Sequence, residues 1–159
     1  MTELYDFSFL DLQQQPHSLA EYRDRVILIV NTASGCGFTP QLSDLAHLHR
    51  QYYDQGLIII GFPCNQFMQQ EPLAGANLQQ FCEQNHGVSF LMADKVMVNG
   101  PQAHPLWRYL KTQKRGFLGT RAIKWNFTKF LINRQGQVIK RYGPRTPPAA
   151  IIDDIVACL

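Results

Sequence analysis

The sequence predicts an α/β fold: a central mixed β-sheet flanked by helices and preceded by a short β extension. Three observations point to it. Val26-Ile27-Leu28-Ile29-Val30 and Leu57-Ile58-Ile59-Ile60-Gly61-Phe62 are apolar on both faces, as strands in the middle of a mostly parallel sheet are. Between them Leu42, Leu45, Leu48 and Tyr52 recur at helix spacing up to a stop at Gly56, so the segment reads as a strand-helix-strand unit. Further on, two apolar-containing runs, Phe130-Leu131-Ile132-Asn133 and Val138 to Tyr142, flank the turn Arg134-Gln135-Gly136-Gln137 and predict an antiparallel hairpin.

The remaining elements fit around that frame. Tyr5 to Leu10 alternates and reads as a short N-terminal strand, and Ser18 to Tyr22 as a helical turn. Pro63 to Pro72 is a loop leaving the second buried strand. A helix is expected over Ala76–Asn85, ended by His86-Gly87, with Leu78, Phe81 and Cys82 on or near one face. Val96-Met97-Val98 reads as extended, His104-Pro105 opens another helix, and Pro147-Pro148 opens a last one that runs to about Ala157. This order is that of the thioredoxin fold. The C-x-x-C pair of many such proteins is missing, since Cys36 is followed by Gly37-Phe38-Thr39.

Composition narrows the function. One domain spanning residues 1–159 is expected from the length, and 45% hydrophobic with 17% charged residues suits a globular core. No apolar run reaches the roughly eighteen residues of a membrane span. The net charge is +3, and Lys111, Lys114, Arg115 and Arg121 form only a loose basic cluster, read as a solvated loop and not a nucleic-acid surface. Met1 to Asp6 lacks the basic-then-apolar pattern of a secretory signal, so a cytoplasmic protein with reduced cysteines is expected. His47 and His49 are two apart on a helix and make a poor metal pair; neither a metal nor an organic cofactor is expected.

Cys36 lies where the first buried strand ends and a helix is about to begin, between Gly35 and Gly37. Chemistry concentrates at the carboxyl ends of such strands. A helix N-terminus favours negative charge, so a thiol there ionises more readily. A small, inert, buried cysteine is the alternative reading of this stretch alone.

Three separated motifs resemble the glutathione peroxidase family. Asn31-Thr32-Ala33-Ser34-Gly35-Cys36-Gly37-Phe38-Thr39-Pro40 is similar to its N-V-A-S-x-C-G-x-T-P signature, whose reactive position holds selenocysteine in many animal members and cysteine elsewhere. Gly61 to Phe67 with Gln70-Glu71-Pro72 resembles G-F-P-C-N-Q-F-x-x-Q-E-P, and Lys124 to Leu131 resembles W-N-F-x-K-F-L. Val98-Asn99-Gly100 and His104 to Trp107 also match, so the likeness runs over nearly the whole chain. Leu73, Leu91 and Ala93 depart from the family pattern.

The resemblance implies a thiol peroxidase. Cys36 would attack hydrogen peroxide or an organic hydroperoxide and become a sulfenic acid. Gln70, Trp125 and Asn126 would surround it as neutral hydrogen-bond donors, which favour the thiolate without consuming the sulfenic acid. Thioredoxin-using members carry a resolving cysteine on the helix after the second motif, the place of Cys82. A disulfide needs Cα atoms within about 7 Å, so local unwinding of that helix is expected before Cys36 and Cys82 meet. Cys64 is expected to be buried and dispensable, and Cys158 incidental. The short interval from Leu110 to Trp125 resembles the monomeric, thioredoxin-dependent branch. A one-cysteine enzyme recycled by glutathione, and a peroxide sensor that relays its oxidation to a partner protein, remain open alternatives.

Overall fold

The computed structural model describes residues 2–159. A five-stranded sheet has the order β5-β4-β3-β6-β7. Its centre is β3 (Val26–Thr32) beside β4 (Leu57–Pro63), parallel and buried along their whole lengths. On the other side of β3, β6 (Lys129–Ile132) runs antiparallel and turns into β7 (Val138–Tyr142). Helix α1 (Gln41–Tyr52) joins β3 to β4, and a single 3-10 turn carries the chain to Gly56, whose φ of 114° is the left-handed stop the sequence anticipates. The sheet is thus the mixed thioredoxin type.

Alternation along the strands divides the core in two. Val26, Leu28 and Val30 of β3, Leu57 and Ile59 of β4 and Leu131 of β6 face one layer, filled by α1, by Leu78 and Cys82 of α2 (Gly75–His86) and by Ile155 of α4 (Ile152–Cys158). Ile27, Ile29, Ile58, Ile60, Phe62 and Phe130 face the other, filled by Leu106, Trp107 and Leu110 of α3 (Pro105–Gln113) and by the N-terminal segment. Cys36 and Cys82 belong to the first layer and Cys64 to the second, so the sheet separates Cys64 from the other two.

Some elements differ from expectation. The N-terminal extension is a two-stranded ladder, β1 (Ser8–Leu10) with β2 (Pro16–Ser18), but Leu4–Asp6 is a 3-10 turn. There, Asp6 and Glu3 form a reciprocal capping box that competes with extended pairing. Val96–Val98 is not a strand. Its N–H groups are claimed by the Pro63 carbonyl and by Gln66 Oε1, and the edge of β4 is taken by β5 (Leu91–Met92). The last helix opens with a 3-10 turn over Pro148–Ile151 before α4 begins.

Candidate active site

Cys36 occupies a tight turn between β3 and α1. Its own N–H donates to Thr39 Oγ1 at 2.9 Å, and that hydroxyl donates to the Ala33 carbonyl at 2.8 Å, closing the loop on itself. The Phe38 N–H donates to Cys36 Sγ at 3.3 Å. Helix α1 starts only at Gln41, so the donor that meets the sulfur is this loop amide and not the helix terminus that the sequence reading invoked. Cys36 is 8% exposed.

The Gln70 loop is tied directly to that turn. The Gly35 N–H donates to the Gln70 carbonyl at 2.8 Å, and a Cβ at Gly35 would lie 3.1 Å from the same oxygen, which is why a glycine stands there. Met68 and Gln69 both have positive φ, 52° and 53°. Two successive non-glycine residues in the left-handed region store strain of a kind that gathers at functional sites. They turn the chain so that Gln70 returns toward Cys36. Next to it Glu71 is buried, accepts a hydrogen bond from Ser34 Oγ, and receives the Lys95 ammonium on its carbonyl. Burial pushes its carboxyl above the usual range, with the Ser34 hydroxyl working against the rise.

The third segment is anchored from the strand that carries Cys36. The buried Asn31 side chain donates to the Trp125 carbonyl at 3.2 Å and accepts from the Thr128 N–H at 2.9 Å, while its own carbonyl takes the Phe127 N–H at 2.7 Å. Phe127 has a φ of 65°, a second strained position beside the site. Asn126 Nδ2 donates to Gln70 Oε1 at 2.9 Å, and Asn126 Oδ1 is buried without a partner among the described residues. The Trp125 ring packs 5.6 Å from that of Phe67 and touches both core layers. A shallow cavity of about 470 Å³, lined by Phe38, Trp125, Gly143, Pro144, Arg145 and Thr146, opens beside these groups.

Gln70, Trp125, Asn126 and the Cys36 turn are therefore linked by backbone and amide hydrogen bonds, although none of the three side chains donates to Cys36 Sγ among the described residues. The sequence reading passed over Asn31, Ser34, Thr39 and Glu71, polar residues within its own motifs, and also Lys129. Lys129 is fully buried at the start of β6, and its ammonium donates to the Gly143, Pro144 and Thr146 carbonyls. It thereby fixes the far wall of the cavity, and burial lowers its pKa to about 7.

All four cysteines are free. Cys82 is 1% exposed on α2, and it is Cys82, not Phe81, that turns most fully into the core. Burial, followed by the charges of Glu71 and Glu83, pushes its pKa up to about 12. Helix α2 is lightly held. Ala74 at its N-cap supplies no side-chain cap, its first turn has no acidic residue, and only Leu78 and Cys82 are buried. Among the described residues no three histidine, cysteine or acidic side chains gather as metal ligands, and no helix is long and apolar enough to cross a membrane.

A thioredoxin-type sheet with one thiol at its strand-to-helix turn, a ring of neutral amides beside it and a second thiol in the same core layer defines a thiol-dependent oxidoreductase of the thioredoxin fold. The family model described as glutathione peroxidase matches residues 4–111. The glutathione peroxidase homolog BsaA of Bacillus subtilis is 50% identical over 156 residues, covering 98% of each chain. The glutathione peroxidase-like peroxiredoxin HYR1 of Saccharomyces cerevisiae is 46% identical, covering 98% of this chain and 95% of its own. The crystal structure of Trgpx in apo form superposes with a TM-score of 0.82 at 38% identity, over 99% of this chain and 95% of that one. The chain belongs to the glutathione peroxidase family, and it is a peroxidase.

Proposed function

We propose that Cys36 reduces hydrogen peroxide and organic hydroperoxides and that Cys82 and thioredoxin restore it. The Cys36 thiolate attacks one peroxide oxygen, the O–O bond breaks, and the other oxygen takes a proton and leaves as water or an alcohol. The sulfur is oxidised to a sulfenic acid. The Phe38 N–H stabilises charge on the attacking sulfur. Gln70 and Asn126, paired through their amides, and the Trp125 indole line the path of the departing oxygen, and the unpartnered Asn126 Oδ1 is an acceptor for a hydroperoxide O–H.

In the second step Cys82 attacks the sulfenic sulfur, the S–O bond breaks, and the hydroxyl leaves as water with the Cys82 proton. A thioredoxin dithiol then reduces the Cys36–Cys82 disulfide. The observation that carries this reading is that Cys36 and Cys82 share one core layer while Cys64 lies across the sheet. The name peroxiredoxin borne by the yeast relative also supports it. At a pKa of about 12 the Cys82 thiol is unreactive while buried, so α2 opens before the bond forms. The reading includes action as a single-domain monomer in the cytoplasm.

Steady-state turnover of hydroperoxide with thioredoxin and its reductase, compared between the wild type and Cys82→Ser, tests it. Loss of thioredoxin-linked turnover in the variant, with one fast round of peroxide reduction retained, is the expected result. Equal turnover of the two proteins with glutathione as donor assigns recycling to glutathione and removes Cys82 from the mechanism.

A further inference from the structure

Peroxide reduction by Cys36 leaves one costly feature of the site unexplained. Lys129 is fully buried at the start of β6 and meets no carboxylate among the described residues. A buried cation without a counter-ion is expensive, and an unbranched apolar side chain of similar length would fill the same space without that cost. What the ammonium supplies in return is its set of hydrogen-bond donors.

Those donors go to a single segment. Residues 143–146 lead from β7 toward the 3-10 turn at Pro148 and form neither strand nor helix. Among the described residues their one backbone hydrogen bond, from the Thr146 N–H to the Gly143 carbonyl at 3.2 Å, is internal to the segment. Lys129 Nζ donates to the Thr146 carbonyl at 2.7 Å and lies 3.4 Å from the carbonyls of Gly143 and Pro144. Gln41, the first residue of α1, is 8% exposed and reaches the same segment from a second element. Its Nε2 donates to the Pro144 carbonyl at 2.7 Å, while its Oε1 is buried without a partner among the described residues. Two buried polar side chains, each at some cost, thus converge on a stretch of chain that has no backbone hydrogen bond to the rest of the protein.

That stretch is one wall of the cavity of about 470 Å³, and Phe38 and Trp125 line it opposite. Phe38 also supplies the N–H that meets Cys36 Sγ. A hydroperoxide whose O–O bond lies at the sulfur therefore has this cavity open to its organic group. The two rings and Pro144 give that group apolar surface, and the placing of residues 143–146 sets the width available to it. Hydrogen peroxide has no such group and does not reach the wall.

We propose that Lys129 and Gln41 are positioning residues that hold the 143–146 segment against the apolar substituent of an organic hydroperoxide, and so set the preference of Cys36 for organic hydroperoxides over hydrogen peroxide. Neither side chain touches the reacting atoms. The inference rests on Cys36 as the peroxide-reducing thiol. It concerns the first step alone and does not depend on which donor recycles the sulfur.

Stopped-flow tryptophan fluorescence of the reduced full chain, giving the rate constant of Cys36 oxidation with cumene hydroperoxide and with hydrogen peroxide, tests the proposal. Lys129→Met and Gln41→Leu each keep most of the side-chain volume and remove the donors. Each is expected to lower the constant for cumene hydroperoxide about tenfold and to leave that for hydrogen peroxide within about twofold, which also shows that the variant is folded. An equal fall with both substrates overturns the proposal and assigns the two residues to stability alone; unchanged constants with both substrates overturn it as well. If Lys129→Met does not fold, Gln41→Leu, which leaves the lysine in place, decides by the same ratio. A wild-type oxidation phase that survives in Cys36→Ser removes Cys36 as the reacting thiol, and the inference falls with the reading on which it rests.

Discussion

Replacing Ala74 by serine adds the cap that α2 lacks and is expected to slow disulfide formation without touching peroxide reduction. Ala74 has φ −152° and ψ 164°, the extended geometry of an N-cap, and its side chain accepts nothing. A serine hydroxyl there can accept from the N–H of the second or third helical residue, Ala76 or Asn77, at no cost to the surrounding packing. Such caps contribute about 1 kcal/mol, which corresponds to roughly a fivefold change in an opening equilibrium. If freeing Cys82 requires α2 to unravel through its first turn, that factor appears in the rate of the second step. Stopped-flow tryptophan fluorescence with one equivalent of hydrogen peroxide, read alongside trapping of the sulfenic acid, separates the two steps. The expected result is an unchanged first phase and a second phase about fivefold slower, with the sulfenic acid living correspondingly longer. A second phase as fast as in the wild type refutes the reasoning, because Cys82 then reaches Cys36 without loss of the helix start.

The buried Cys82 thiol also gives the second step a pH signature. Its pKa is about 12 in the closed protein, against about 8.5 for a free cysteine. The closed state keeps a proton that the open state releases, so opening gains as pH rises from about 8.5 toward 12. Between about pH 6 and pH 8 disulfide formation is expected to accelerate about tenfold per unit, following the thiolate fraction of the open state, and a flat profile speaks against this route. Asn31→Ala leaves the Thr128 N–H without its acceptor and the Trp125 carbonyl without one donor. A loss of about 1–3 kcal/mol in urea unfolding is expected, with a shift in tryptophan emission, and unchanged stability and emission remove Asn31 as the anchor of that segment.

Burial decided what was legible in the sequence. β3 and β4 are buried on both faces, so their apolar runs carry an unambiguous signal, and Gly56 and Gly87 mark helix ends that require a positive φ. The segments misread are those in which a side chain replaces a backbone partner. Gln66 takes the N–H groups of Val98 and Asn99, and Asp6 closes the first turn with Glu3. Within the site, Cys36 is marked by its place at the end of a buried strand, and Gln70, Trp125 and Asn126 by the resemblance of their motifs to the family's. Asn31 and Lys129 act through backbone carbonyls and amides of distant segments, and Thr39 through the backbone of its own loop, and composition carries no trace of such contacts. The departure Leu73 packs against the first core layer, and Leu91 opens β5, so both are absorbed by the fold.

Mass mapping of the reduced protein after one equivalent of hydrogen peroxide, with free thiols blocked, bears most directly on the assignment of Cys36 and Cys82. The account predicts one intramolecular disulfide between them, with Cys64 and Cys158 carrying the blocking group. A sulfenic or sulfinic acid on Cys36 with Cys82 blocked as a free thiol contradicts it, and places resolution on a thiol from outside the chain.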